Sequence, residues 1–142
     1  LLPLHHSHYL FIFQIVKETW VRAGRCVRDF TLYTGSLGTA FLLFKAYEVT
    51  KNKNDLNLCI EIVRACDTAS RESRHVTFIC GQAGVCALSA VAAKNAGDHA
   101  LLNHYLSQFK AGMVVKEIIK DGIRLANKGS CPLMYVAFIS VQ

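Results

Sequence analysis

Proline is nearly absent from this 142-residue chain, with one residue near each end, Pro3 and Pro132. The interior therefore lacks the strongest helix breaker. Charge is also sparse, at 18% of residues against 52% hydrophobic. That balance excludes the polar, highly charged composition of a disordered chain and leaves enough apolar surface for a core. No segment is of low complexity, so no linker divides the chain. No Gly-Lys-Ser or Gly-Lys-Thr follows a glycine-rich turn, which excludes a P-loop. No basic stripe with interleaved aromatics appears, although the net charge is +6. Lys and Arg are spread from Lys17 to Lys128, often beside Asp or Glu, and read as a solvated surface. Nucleic acid is not an expected partner.

No secretory signal is recognisable in the sequence either. Residues 1–16 are apolar but have no basic start and no small-residue cleavage site. The six cysteines are Cys26, Cys59, Cys66, Cys80, Cys86 and Cys131. Cys59, Cys66, Cys80 and Cys86 lie in apolar, helix-like runs, where a thiol acts as a small buried hydrophobe. A reducing, cytoplasmic setting follows. The opening Leu-Leu-Pro-Leu-His-His-Ser-His differs from the rest and does not begin with Met. Residues 1–15 therefore read as non-native or disordered.

Two runs are apolar enough to raise the question of a membrane span. Val76 to Ala93 is 18 residues without a charge, and residues 30–49 carry only Lys45 and Glu48. A span needs about 20 predominantly apolar residues. The first run is short and diluted by Gly81, Gln82, Gly84 and Ser89. A helix buried on most sides is the better reading.

What the chain does have is an internal repeat. Thr34-Gly35-Ser36-Leu37-Gly38 aligns with Cys80-Gly81-Gln82-Ala83-Gly84 at an offset of 46 residues. At that offset Leu42 meets Leu88, Ala46 meets Ala92, Leu56 meets Leu102 and Asn57 meets Asn103. Each unit reads as Gly-x-x-Gly, an apolar helix, a polar turn and a second helix. The spacing predicts helices over about 37–49, 55–70, 83–95 and a further one through Leu102, Tyr105, Leu106 and Phe109. Asn54 or Asp55 is the expected N-cap of the second helix, and Gly97 suits the end of the third. Cys59, Ile62, Cys66 and Ala69 share one face, backed by Val63. Another helix is expected over 113–127. The whole is all-α, a stack of hairpins that each need a neighbour to bury their apolar faces.

The stretch from Arg28 to Tyr47, with Gly35 and Gly38, closely resembles plant LanC-like (lanthionine synthetase C-like) proteins. So does the stretch from Val76 to Leu88, with Gly81 and Gly84. The likeness runs from about Val16 to Lys110 and resumes from Val114 to Tyr135. It implies a partial α/α toroid, with Gly35, Gly38, Gly81 and Gly84 as structural glycines at inner-helix starts, where the missing Cβ permits close approach. The implied family chemistry is zinc-dependent addition of a thiol, from Cys or glutathione, to dehydroamino acids in peptides. Zinc lowers a thiol's pKa and holds the thiolate. The family takes that zinc on one Cys and a later Cys-His pair. No adjacent Cys-His occurs here. A third Gly-x-x-Gly hairpin is missing between Lys110 and Val114, and Val136–Gln142 replaces the expected continuation as a divergent tail. Residues 16–135 then correspond to a partial domain, truncated and catalytically silent, with no metal or cofactor of its own. Plant members were once described as G-protein-coupled receptors. A non-catalytic interaction or signalling module, peripheral at the plasma membrane, is the alternative.

No residue is assigned a catalytic or metal-binding role. His75, Cys80 and Cys86 are the right residue types for zinc, but their spacing matches no standard site, and structural thiols are the simpler reading. His5, His6 and His8 belong to the atypical terminus. The helix starts after Gly35 and Gly81 present unpaired N–H groups that suit an anion, yet close packing alone explains the glycines. Trp20, Phe30 and Tyr33 read as core.

Overall fold

The computed structural model describes residues 2–71 and 79–110. These residues form five α-helices and no strand: α1 (Leu2–Val16), α2 (Ser36–Thr50), α3 (Lys53–Ser70), α4 (Gln82–Ala96) and α5 (His99–Lys110). A π-helical turn, Lys17–Val21, continues α1. The expected helix over 113–127, the tail and Cys131 lie outside the described residues.

The repeat survives in the backbone at the register read from the sequence. Helices α2 and α4 start at Ser36 and Gln82 and end at Thr50 and Ala96, and α3 and α5 start at Lys53 and His99. All three pairs are 46 residues apart. The helix stops correspond as well. Gly97 is left-handed at φ 75°, as its residue type predicts. Its N–H reaches the Lys94 carbonyl, and the Asp98 N–H reaches that of Ala93, which satisfies two terminal acceptors of α4. Lys51, the equivalent residue, is also left-handed at φ 57° and donates to the Tyr47 carbonyl at 2.8 Å. Here a side chain sits where glycine is favoured.

The helix starts of the outer pair show a correction. The N-cap of α3 is Asn52, not Asn54 or Asp55: its side-chain oxygen accepts from the Asn54 N–H at 3.1 Å. Asp98 does the same for α5, accepting from Leu101 N–H at 2.9 Å. The cap lies two or three residues earlier than expected because the turn after Lys51 is so short. One left-handed residue reverses the chain, and the next residue already faces the new helix.

Packing follows the apolar faces. Helix α2 lies along α3, α4 along α5, and α3 joins the two hairpins. Cys59, Ile62, Val63 and Cys66 of α3 are fully buried against Leu37, Leu43 and Phe44 of α2 and Val85 and Leu88 of α4. Burial of each large side chain contributes about 1.5–3 kcal/mol. Helix α4 is buried without a break from Ala83 to Ala93. Its charge-free run reflects neighbours on nearly every side, as expected of a helix that is apolar all round. No helix among the described residues is long and apolar enough to cross a membrane.

Three further expectations change. Residues 2–16, expected to lie outside the fold, form helix α1. Ile12 and Val16 of α1 pack on the core, and the Tyr9 hydroxyl donates to Asp55 Oδ1 at 3.0 Å. Trp20 is core, but Tyr33 is 72% exposed. Cys80 is exposed rather than buried, because it precedes α4 in the entry loop.

Candidate functional site

The two glycine-flanked helix entries are the part of the chain that the sequence singled out, and they lie side by side. Asp29 organises the first. Its carboxylate accepts the Thr31 N–H at 2.8 Å and the Thr34 hydroxyl at 2.8 Å, and its backbone carbonyl accepts the Ser36 N–H at 2.8 Å. Partial burial raises the carboxyl's pKa, but these donors outweigh it and leave Asp29 below the ordinary carboxylate range. The loop thus folds back on the start of α2.

Two glycines make that possible. A Cβ on Gly35 would collide with the Asp29 carbonyl oxygen and lie 2.6 Å from the Thr31 nitrogen. A Cβ on Gly38 would collide with the Leu32 carbonyl oxygen. Gly35 itself is extended, at φ −104°, so the demand is for space and not for a special dihedral. Leu32 then donates its N–H to the Ile79 carbonyl at 2.9 Å, two residues before Gly81. Gly81 caps α4 with the same extended backbone, and Gly84 is buried in the first turn of α4.

Beside the first entry an open groove of about 350 Å³ runs between the end of α1 and α2. Ile15, Thr19, Tyr33, Gly38, Thr39 and Lys45 are among its walls. Sequence reasoning missed it: Thr19 and Thr39 share no motif, and only the π-helical turn brings their hydroxyls within 2.9 Å. Lys45 already pairs with Glu48 Oε2 at 2.6 Å and lies 5.6 Å from the centre of the Phe41 ring. The groove holds neither a nucleophile with an adjacent base nor a metal donor set.

The three buried thiols are equally unreactive in their setting. Burial pushes Cys59, Cys66 and Cys86 up to about 12, with smaller contributions from Cys66, Asp29 and Asp67 respectively. They are protonated and poor ligands at neutral pH. Cys86 Sγ rests 3.5 Å from Gln108 Oε1. His75 lies outside the described residues, as do the side chains of His5, His6 and His8. Among the described residues no three His, Cys, Asp or Glu side chains gather to hold a metal ion. The residues described here do not fit a zinc site.

A buried polar cluster at the α3–α4–α5 junction was also unforeseen. Asp67 is 5% exposed and accepts from Arg71 at 2.8 Å through Oδ2, while its Oδ1 finds no partner among the described residues. The i, i+4 spacing of Asp67 and Arg71 was the available signal. That the same carboxylate faces Cys86 and Tyr105 required the packed helices.

Residues 27–124 match the family model described as lanthionine synthetase C-like protein. The chain belongs to that family. It is also similar to "LanC-like protein GCL1" of Arabidopsis thaliana, 43% identical over 104 residues, which is 68% of this chain and 24% of the relative. This LanC-like chain thus spans about a quarter of the length of the curated relative it matches. The family match takes in both glycine entries and both hairpins, so these all-α units are sectors of the family's α/α toroid.

Proposed function

We propose that the described residues of this LanC-like chain are scaffold. They build two neighbouring sectors of a helical ring whose chemistry is thiol addition to dehydroamino acids in peptides, with glutathione or a peptide Cys as the thiol. The observation behind this reading is the division of labour among its residues. Gly35 and Gly38 are committed to backbone packing, and Cys59, Cys66 and Cys86 are committed to the core with their protons held. A thiolate nucleophile needs a lowered pKa, and burial drives these three the other way. Zinc and the activated thiol then belong with residues other than those described, and this chain alone is catalytically silent.

The test uses the full 142-residue chain. It is purified, its zinc content is measured, and it is incubated with glutathione and a dehydroalanine-containing peptide. The expected result is less than one zinc in ten chains and a rate of adduct formation equal to that without protein. Stoichiometric zinc, or saturable acceleration of the addition, would overturn the proposal.

A further inference from the structure

Helix α1 and its π-helical turn stand in the register of the repeat's second helix. At the 46-residue offset that relates α5 to α3, the span of α3 falls back on residues 7–24, and Leu2–Val21 is helical there. Leu10, Leu56 and Leu102 then share one position. The packing agrees: α1 and its turn lie on α2, as α3 lies on α4. Val16 and Trp20, at the positions of Ile62 and Cys66, are buried as those residues are.

On the other face register and burial part. In the second hairpin Leu102 and Tyr105 pack on Cys86 and Ala90 of α4, the first helix of that pair. In the first hairpin the equivalent Leu56 and Cys59 are buried in the core that α2 and α3 share. The same positions on α1 are Leu10 and Phe13, exposed by 56 and 61%. Phe11 is exposed too, but it stands at the position of Asn57 and Asn103, which face solvent in both hairpins. Among the described residues no first helix lies against α1. Leu10 and Phe13 therefore mark a seat for an apolar helix.

Helices α2 and α4 are already covered by α3 and α5. The helix of this chain with an apolar face still open is α1 itself, so the occupant that fits is α1 of a second copy. It carries no Asp, Glu, Lys or Arg, so two copies meet there without setting like charges together. An antiparallel pair also opposes their helix dipoles favourably, and a two-fold arrangement closes on itself. Leu10, Phe11 and Phe13 offer roughly 300–400 Å² of apolar surface per copy, the scale of a weak, reversible dimer.

We propose that two copies of this chain associate through α1, antiparallel across a two-fold axis. Leu10 and Phe13 of each copy lie at the centre of the contact and Phe11 at its rim, and each α1 serves the other as the first helix of a hairpin.

Sedimentation equilibrium of the full chain at pH 8, where the α1 histidines are neutral, tests this. Between about 2 and 200 µM the mass should rise from the 15.8 kDa monomer towards twice that value, with half-association at tens of µM. Phe13→Ser, alone or with Leu10→Ser, should weaken association by about tenfold or more, with circular dichroism unchanged because both side chains are exposed. Phe11→Asn, which installs the residue of the other two repeats, should weaken it by less than about threefold. A monomer at every concentration, a dimer that the Leu10 and Phe13 substitutions leave intact, or a mass that grows past the dimer would each overturn the proposal. So would equal losses in Phe11→Asn and Phe13→Ser, since general stickiness does not follow the register.

Discussion

The backbone N–H of Leu32 donates to the carbonyl of Ile79 at 2.9 Å, and this bond ties the entry loop of one hairpin to that of the next. Leu32 can be there only because Gly38 has no side chain: its carbonyl oxygen rests where a Cβ would be. The first Gly-x-x-Gly therefore acts beyond its own helix. It sets the position of a loop that the second repeat holds from the other side.

Gly38→Ala and Gly35→Ala should each destabilise the fold by about 2–3 kcal/mol, the range for a steric change against backbone that cannot yield cheaply. Denaturant unfolding measures the loss. Amide exchange supplies the specific readout, because Leu32 should lose its protection in Gly38→Ala more than the α5 amides do. Unchanged Leu32 protection would contradict the coupling of the two loops.

Lys51 and Gly97 hold equivalent left-handed positions and make opposite predictions. A side chain in that region costs about 1–2 kcal/mol. Lys51→Gly should therefore stabilise the chain by about 0.5–1 kcal/mol, after loss of the weak contact of the Lys51 ammonium with the Tyr47 ring at 5.5 Å. Gly97→Ala should cost about 1 kcal/mol. Thermal unfolding compares them, and the two variants should shift the midpoint in opposite directions.

Cys59, Cys66 and Cys86 should resist iodoacetamide in the folded protein at pH 8, while the exposed Cys26 reacts. Mass spectrometry of the native and denatured chains reads this directly. The same thiols predict alkaline sensitivity. Their folded pKa, pushed up to about 12, exceeds the unfolded value near 9. Below pH 9 both states keep the proton and stability is flat. Between 9 and 12 the unfolded chain releases protons that the folded chain retains, so stability falls by up to roughly 1.4 kcal/mol per pH unit for each thiol. Replacing Cys59 with Ala should flatten that slope even as it costs core packing.

Tyr9→Phe removes the donor to buried Asp55 Oδ1, and Oδ2 already finds no partner among the described residues. The substitution should cost about 1–3 kcal/mol and raise amide exchange through α1 before the hairpins are affected. Equal protection of α1 in both proteins would mean that Ile12 and Val16 hold the helix unaided.

The hairpins were legible in the amino-acid order because their signals are local. The repeated Gly-x-x-Gly, Gly97 and the period of Cys59, Ile62, Val63 and Cys66 each act within one or two turns of backbone, and helices obey such short-range rules. The same glycine contexts carried the family. The α3 cap lies two or three residues before the expected position because Asn52, Asn54 and Asp55 are all good caps, and the left-handed Lys51 that selects among them has no residue-type signature. Contacts between distant segments were beyond any local signal. Tyr9 reaches Asp55 across 46 residues. Thr19 meets Thr39 through a π-helical turn, and the Leu32 carbonyl fills the space that Gly38 leaves. Those meetings depend on how whole helices pack against one another. Packing also left Leu10, Phe11 and Phe13 outside while sealing Ala83 to Ala93 of α4 within.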